Sequence, residues 1–331
     1  MNEWITAMPK AVLHDHLDGG LRVDTLIELA YKQSYRELPS TNKQHLLEWI
    51  EPKPNKSLAI NLEAWDHTIA VMQDSDSIYR VTMEALEDLS NDGVVYAELR
   101  FAPLVHCQSK LNPNEVVNAV LNGIKDGSDK FNILSGAILC AMRHLNNSKE
   151  VIKLCVENSD VLAFDLAGPE VGFSALNHRE AIEIAHKHNI NITLHADWEV
   201  PEGIQEVIME LSANRIGHGS QIVNDYKSTN NGLIFNNKAA EYVHKNKIAL
   251  ELCPTSNMQC GSCKSFSQHP FKKLFDDGFN VTINTDNRLM SNTSMSQEVS
   301  RLVENFNLTE EEIRLITINT CLLYTSPSPR D

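Results

Sequence analysis

Ala11-Val12-Leu13-His14-Asp15-His16 is a short apolar run ending in two histidines one residue apart. On a β-strand, side chains two positions apart leave the same face, so His14 and His16 project together. The same pattern recurs further along. Val281-Thr282-Ile283 leads into Asn284-Thr285-Asp286, and Ile192-Thr193-Leu194 leads into His195. Imidazoles and a carboxylate at the ends of separate apolar runs are the donors of a catalytic zinc site, once a closed fold gathers them. On this reading the chain is a metal-dependent hydrolase with ligands drawn from opposite ends of the sequence.

Eight short apolar or β-branched runs can be picked out, at 12–16, 94–99, 134–140, 161–165, 190–195, 215–217, 248–252 and 280–285. Most are separated by stretches of helical period, at 25–31, 76–89, 113–125, 148–158, 178–189, 203–211 and 237–245. Asp92-Gly93, Asn189 and Asp277-Gly278 read as helix stops just ahead of strands. Alternation of strands and helices implies parallel β/α units, and eight of them imply a closed (β/α)8 TIM barrel with its site at the C-terminal strand ends. The polar candidates follow that rule: His14, His16, Glu98, Arg100, Asp165, His195, His218, Cys253 and Asp286 fall at or just after those ends. The remaining histidines, His106 and His269 among them, sit in no such context and are assigned no role.

Residues 35–75 break the alternation. Pro39, Pro52 and Pro54 precede Leu58, Leu62, Trp65, Ile69 and Met72 at helical spacing. This is a helical insertion after the first strand, set either to cap the barrel mouth or to pack on its side. Residues 1–320 read as a single barrel domain, truncated at its C-terminus. The segment 321–331 turns abruptly to Ser and Pro, and reads as translated sequencing-adaptor sequence rather than native protein.

With 331 residues and 42% hydrophobic content, the chain can bury a large core. Its formal charge of −15 gives no basic footprint for nucleic acid or for anionic membranes. No apolar stretch approaches the roughly 18 residues that span a bilayer, and the N-terminus lacks the pattern of a signal peptide. Seven irregularly spaced cysteines suit free thiols in a reducing cytoplasm. Cys260-Gly261-Ser262-Cys263 has no second pair at zinc-site spacing, so it reads as unpaired loop thiols.

The ordered motifs of residues 8–320 resemble the adenosine deaminase family. They are Pro9 to Gly20, Val95 to Pro103, Asp165-Leu166-Ala167-Gly168-Pro169-Glu170, Arg215-Ile216-Gly217-His218-Gly219, Glu251 to Asn257 and Asn284-Thr285-Asp286-Asn287. The resemblance implies deamination of a small purine nucleoside, adenosine or 2'-deoxyadenosine, with another 6-aminopurine such as adenine as an alternative. It implies one zinc ion per chain, held by His14, His16, His195 and Asp286. His218 and Asp286 then assist the attacking oxygen, and His16, Asp18, Gly168 and Asn287 meet the substrate. At the fifth strand the family reads His-Ala-Gly-Glu, whose glutamate protonates the purine. This chain reads His195-Ala196-Asp197-Trp198-Glu199, with the glutamate one residue late and the stretch before Pro201 shortened. Glu199, with the longer arm, is the expected general acid. Asp197 in its place, or a nucleoside-binding site without its acid, are the alternatives.

Overall fold

The computed structural model describes residues 2–51, 58–196 and 203–323. Eight strands form one parallel sheet in the order β1-β2-β3-β4-β5-β6-β9-β10. They are β1 (Lys10–His16), β2 (Val94–Phe101), β3 (Leu134–Met142), β4 (Val161–Ala167), β5 (Asn191–Ala196), β6 (Arg215–His218), β9 (Ala249–Leu252) and β10 (Val281–Ile283). Each overlaps one of the eight runs expected from sequence. The other two strands, β7 (Tyr226–Thr229) and β8 (Gly232–Phe235), make a small antiparallel hairpin that hydrophobic period did not reveal.

The barrel closes between its first and last strands at the residues that carry the candidate ligands. The His16 N–H donates to the Asp286 carbonyl at 2.7 Å, and the Asp286 N–H donates to the His14 carbonyl at 2.9 Å. One turn earlier a side chain completes the seam. Asn284 Oδ1 accepts from the N–H groups of Leu13 at 2.9 Å and His14 at 3.1 Å. Its Nδ2 donates to the Leu252 carbonyl at 3.2 Å and to Thr282 Oγ1 at 2.9 Å.

The helices begin and end where local chemistry dictates. Asn112 and Glu115 form a reciprocal capping box at the start of the helix Pro113–Phe131, and Asn132 ends it in the left-handed region. Gly93, Asn189 and Gly278 all have positive φ, as expected of the stops ahead of β2, β5 and β10. The stretch 203–211 holds a six-residue π-helix, Gln205–Glu210, rather than an ordinary α-helix. The last helix, Glu310–Leu322, runs through the predicted domain boundary at residue 320. Among the described residues no helix is long and apolar enough to cross a membrane.

The insertion caps the mouth. Its helices include Lys43–Ile50 and Leu58–Val71. Trp65 of the second lies edge-on to the His16 ring, with centroids 5.5 Å apart. A Cβ on Gly19 would stand 2.8 Å from Trp65 Cη2 and 2.6 Å from Asn287 Oδ1. The bare glycine is what lets the cap approach the barrel this closely.

Candidate active site

A cavity of about 370 Å³ opens at the C-terminal ends of the strands. Among the residues lining it are His16, Asp18, Gly168, His195, His218 and Asp286. Donor atoms of His14, His16 and His195 lie within 4.8 Å of one another, as do those of His14, His218 and Asp286. His16 Nε2 is 3.2 Å from His195 Nε2. Asp286 Oδ1 is 3.4 Å from His14 Nε2 and 3.5 Å from His16 Nε2. The structure thus brings together all four predicted ligands, with His218 beside them.

These imidazoles are held in the form that binds a cation. His14 Nδ1 lies 3.0 Å from Glu251 Oε2, and His195 Nδ1 lies 3.0 Å from Asp165 Oδ1. A carboxylate takes only hydrogens, so each Nδ1 bears one, and in the neutral ring each Nε2 turns its lone pair to the cluster. Buried His14 Nε2 makes no hydrogen bond within the described protein. Burial holds His16 well below the ordinary imidazole value and lowers His195. His14 is the exception: burial and the Arg100 charge press it down, but the carboxylates of Asp286 and Glu251 beside it outweigh them and raise it. Burial opposes the charge on Asp286, yet the surrounding imidazoles keep it ionised, well below the usual carboxylate value. An acidic, lone-pair-rich cluster of this kind fits a metal cation.

Glu98 and Arg100, expected at a strand end, lie deeper, within the barrel. Arg100 donates to Asp165 Oδ2 at 2.9 Å and to Glu251 Oε2 at 2.6 Å. Arg215 joins Glu251 at 2.9 Å and Glu98 at 2.5 Å. One guanidinium therefore grips both carboxylates that orient histidines. Sequence reasoning gave Glu251 no role, because its partner His14 is 237 residues away.

Asp18 and Asn287 line the cavity, and Asp18 Oδ1 and Asn287 Oδ1 are buried without a hydrogen bond among the described residues. Gly168 has φ +90°, a conformation that suits glycine and leaves its backbone bare to the cavity. His218 and Asp286, at φ +66° and +58°, hold left-handed conformations that side chains seldom adopt. Ser256 Oγ, which the sequence did not single out, donates to Asp286 Oδ2 at 2.5 Å. Glu199 and Asp197 lie outside the described residues.

A parallel eight-stranded barrel with a histidine–aspartate cluster at its C-terminal mouth defines the class: a metal-dependent TIM-barrel hydrolase. The sequence profile of the adenosine deaminase family matches residues 9–326. The chain belongs to that family, hydrolases that act on C–N bonds in cyclic amidines. It is 42% identical over 328 residues to an adenosine deaminase of Mycobacterium marinum, spanning 95% of this chain and 90% of that one. It is 41% identical over 325 residues to adenosine deaminase 1 of Streptomyces coelicolor, spanning 95% of this chain and 82% of that one. Among solved structures, an adenine deaminase of Arthrobacter aurescens superimposes with TM-score 0.87 at 22% identity, covering 97% of this chain and 95% of that one. The N6-mAMP deaminase of Arabidopsis superimposes with TM-score 0.83 at 25% identity, covering 98% and 96%.

Proposed function

We propose that the protein hydrolyses adenosine, and 2'-deoxyadenosine, to the inosine product and ammonia, with one zinc ion held by His14, His16, His195 and Asp286. The observation that carries this reading is the convergence of those four side chains, His16, His195 and Asp286 lining a cavity and His14 buried against them, where Asp18, Gly168 and Asn287 also line the cavity. Bound zinc supplies Lewis acidity, which makes water a competent nucleophile near neutral pH.

The protein's own groups do the rest. Gly168 allows the purine edge to approach the backbone, and Asn287 faces the imidazole side of the base. Asp18 accepts from a sugar hydroxyl, which favours a nucleoside over free adenine. Among the described lining residues there is no lysine or arginine, so a nucleotide's phosphate finds no countercharge among them. His218 and Asp286 flank the attacking oxygen. Glu199 protonates the ring nitrogen next to the attacked carbon, a contribution of roughly 10²–10⁴-fold in rate.

The test is purified, zinc-verified protein with adenosine, followed by the ultraviolet change as adenine becomes hypoxanthine. Glu199→Gln should abolish turnover while Asp197→Asn retains it; the reverse result reassigns the acid. Binding of inosine with no turnover of adenosine by the parent would instead identify a nucleoside-binding protein.

A further inference from the structure

Which nitrogen of His218 carries the hydrogen decides whether the ring gives a hydrogen bond to the attacking oxygen or takes a proton from it. The surrounding protein settles that choice through a buried chain of three side chains. The backbone N–H of Phe271 donates to His269 Nδ1 at 3.1 Å. A ring nitrogen that accepts bears no hydrogen, so neutral His269 carries its hydrogen on Nε2. His269 is neutral, since burial pushes it down to about 3. Its Nε2 lies 3.1 Å from Asn257 Oδ1. The same oxygen accepts from the backbone N–H of Cys253 at 3.3 Å. Two donors therefore fix which end of the Asn257 amide is oxygen. The other end, Nδ2, lies 3.1 Å from His218 Nδ1 and has only hydrogens to offer.

We propose that Asn257 and His269 are positioning residues that hold His218 with its hydrogen on Nε2, the nitrogen 4.0 Å from Asp286 Oδ2. In its neutral form His218 is then a donor toward the attacking oxygen and has no lone pair there to receive a proton. The opposite tautomer needs a hydrogen on Nδ1, and so needs the Asn257 amide to turn over. That would set its NH₂ group against the Cys253 N–H and the His269 Nε2–H, three donors facing one another inside the protein. His218, Asn257 and His269 are 4%, 1% and 3% exposed, so water cannot relieve that conflict. The roles of Asn257 and His269 rest on the deaminase reading; the position of the hydrogen does not.

Nitrogen-15 spectroscopy of the histidine-labelled, zinc-loaded protein tests this, because it reports which ring nitrogen bears hydrogen. The His218 signals are identified by their loss in His218→Ala. The expected result is hydrogen on Nε2 and a bare Nδ1. Asn257→Asp keeps the shape but turns an acceptor toward Nδ1, and should move the hydrogen to Nδ1. Hydrogen on Nδ1 of His218 in the parent overturns the proposal, whether or not the variant folds. Hydrogen remaining on Nε2 in a folded Asn257→Asp also overturns it, since Asn257 would not be setting the tautomer. An adenosine assay on the same parent sample separates the two claims. Absence of turnover with hydrogen on Nε2 refutes the deaminase reading and still supports the tautomer assignment.

Discussion

At the scale of single residues, the cluster depends on groups that never enter the cavity. Arg100 is fully buried and ties Asp165 to Glu251, and each of these carboxylates orients one imidazole. Burial alone would protonate Glu251; the guanidinium groups of Arg100 and Arg215 hold it ionised. Replacing Glu251 by Gln keeps the volume but offers His14 Nδ1 a weaker or reversed partner. Metal affinity should fall about 10- to 100-fold, read by competition with a chelator. Undiminished affinity would show that His14 needs no orienting carboxylate. Replacing Arg100 by Leu should be harsher on the fold, because it takes the guanidinium from buried Asp165 and leaves buried Glu251 with Arg215 alone. The expected loss is about 3–5 kcal/mol in denaturant unfolding. The four side chains of the cluster, the candidate ligands, stand out in the sequence because each follows an apolar run. The residues behind them were not: Glu251 and Arg100 meet across 151 positions, and Asn257 and His218 across 39. Only the closed barrel makes such pairs neighbours.

At the scale of elements, the seam and the cap decide whether the site exists. The main-chain pairing of β1 with β10 is short, and Asn284 adds four hydrogen bonds with one side chain. Asn284→Ala strands the buried N–H groups of Leu13 and His14. A destabilisation of about 2–4 kcal/mol is expected from two such losses, along with faster amide exchange at Leu13 and His14. Protection unchanged at those amides would mean that the backbone pairing alone closes the barrel. Trp65→Ala removes the ring that stands over His16. It should raise KM for adenosine far more than it lowers kcat, since Trp65 walls the cavity and supplies none of the cluster's donor atoms. Strand positions were legible because buried parallel strands are short apolar runs bounded by turn residues. The β7–β8 hairpin was not, because Lys227, Ser228 and Thr229 are exposed and carry no hydrophobic signal. The π-helix Gln205–Glu210 escaped for a different reason: at six residues it is too short for its wider turn to show in the apolar spacing. Whether the insertion caps or flanks the barrel was open in the sequence, since Trp65 and Ile69 suit either place. The bare Gly19 contact is what distinguishes them, and it exists only between segments folded together.

At the scale of the whole molecule, stability against acid follows from the groups the fold keeps neutral. The chain carries a formal charge of −15, so acidification changes many sites at once, and only a difference between variants isolates one of them. His269 is the best candidate, because burial pushes it from 6.5 to about 3. Its folded value lies below its unfolded value, so at intermediate pH the unfolded chain takes up a proton that the folded chain refuses. Stability linked to His269 is therefore complete above about pH 6.5 and is lost progressively as the pH falls toward about 3. At pH 5, about 1.5 pH units below the unfolded value, the loss is about 2 kcal/mol. His269→Gln retains an N–H donor for Asn257 but cannot bind the proton. At pH 7 the variant should be the less stable, having lost the acceptor for the Phe271 N–H. Between pH 7 and pH 5 the parent's advantage over it should shrink by about 2 kcal/mol, measured by denaturant unfolding at each pH. An advantage that stays constant across that range would mean that His269 is protonated inside the folded protein. The hydrogen bond that Asn257 Oδ1 accepts from His269 would then not depend on a neutral ring.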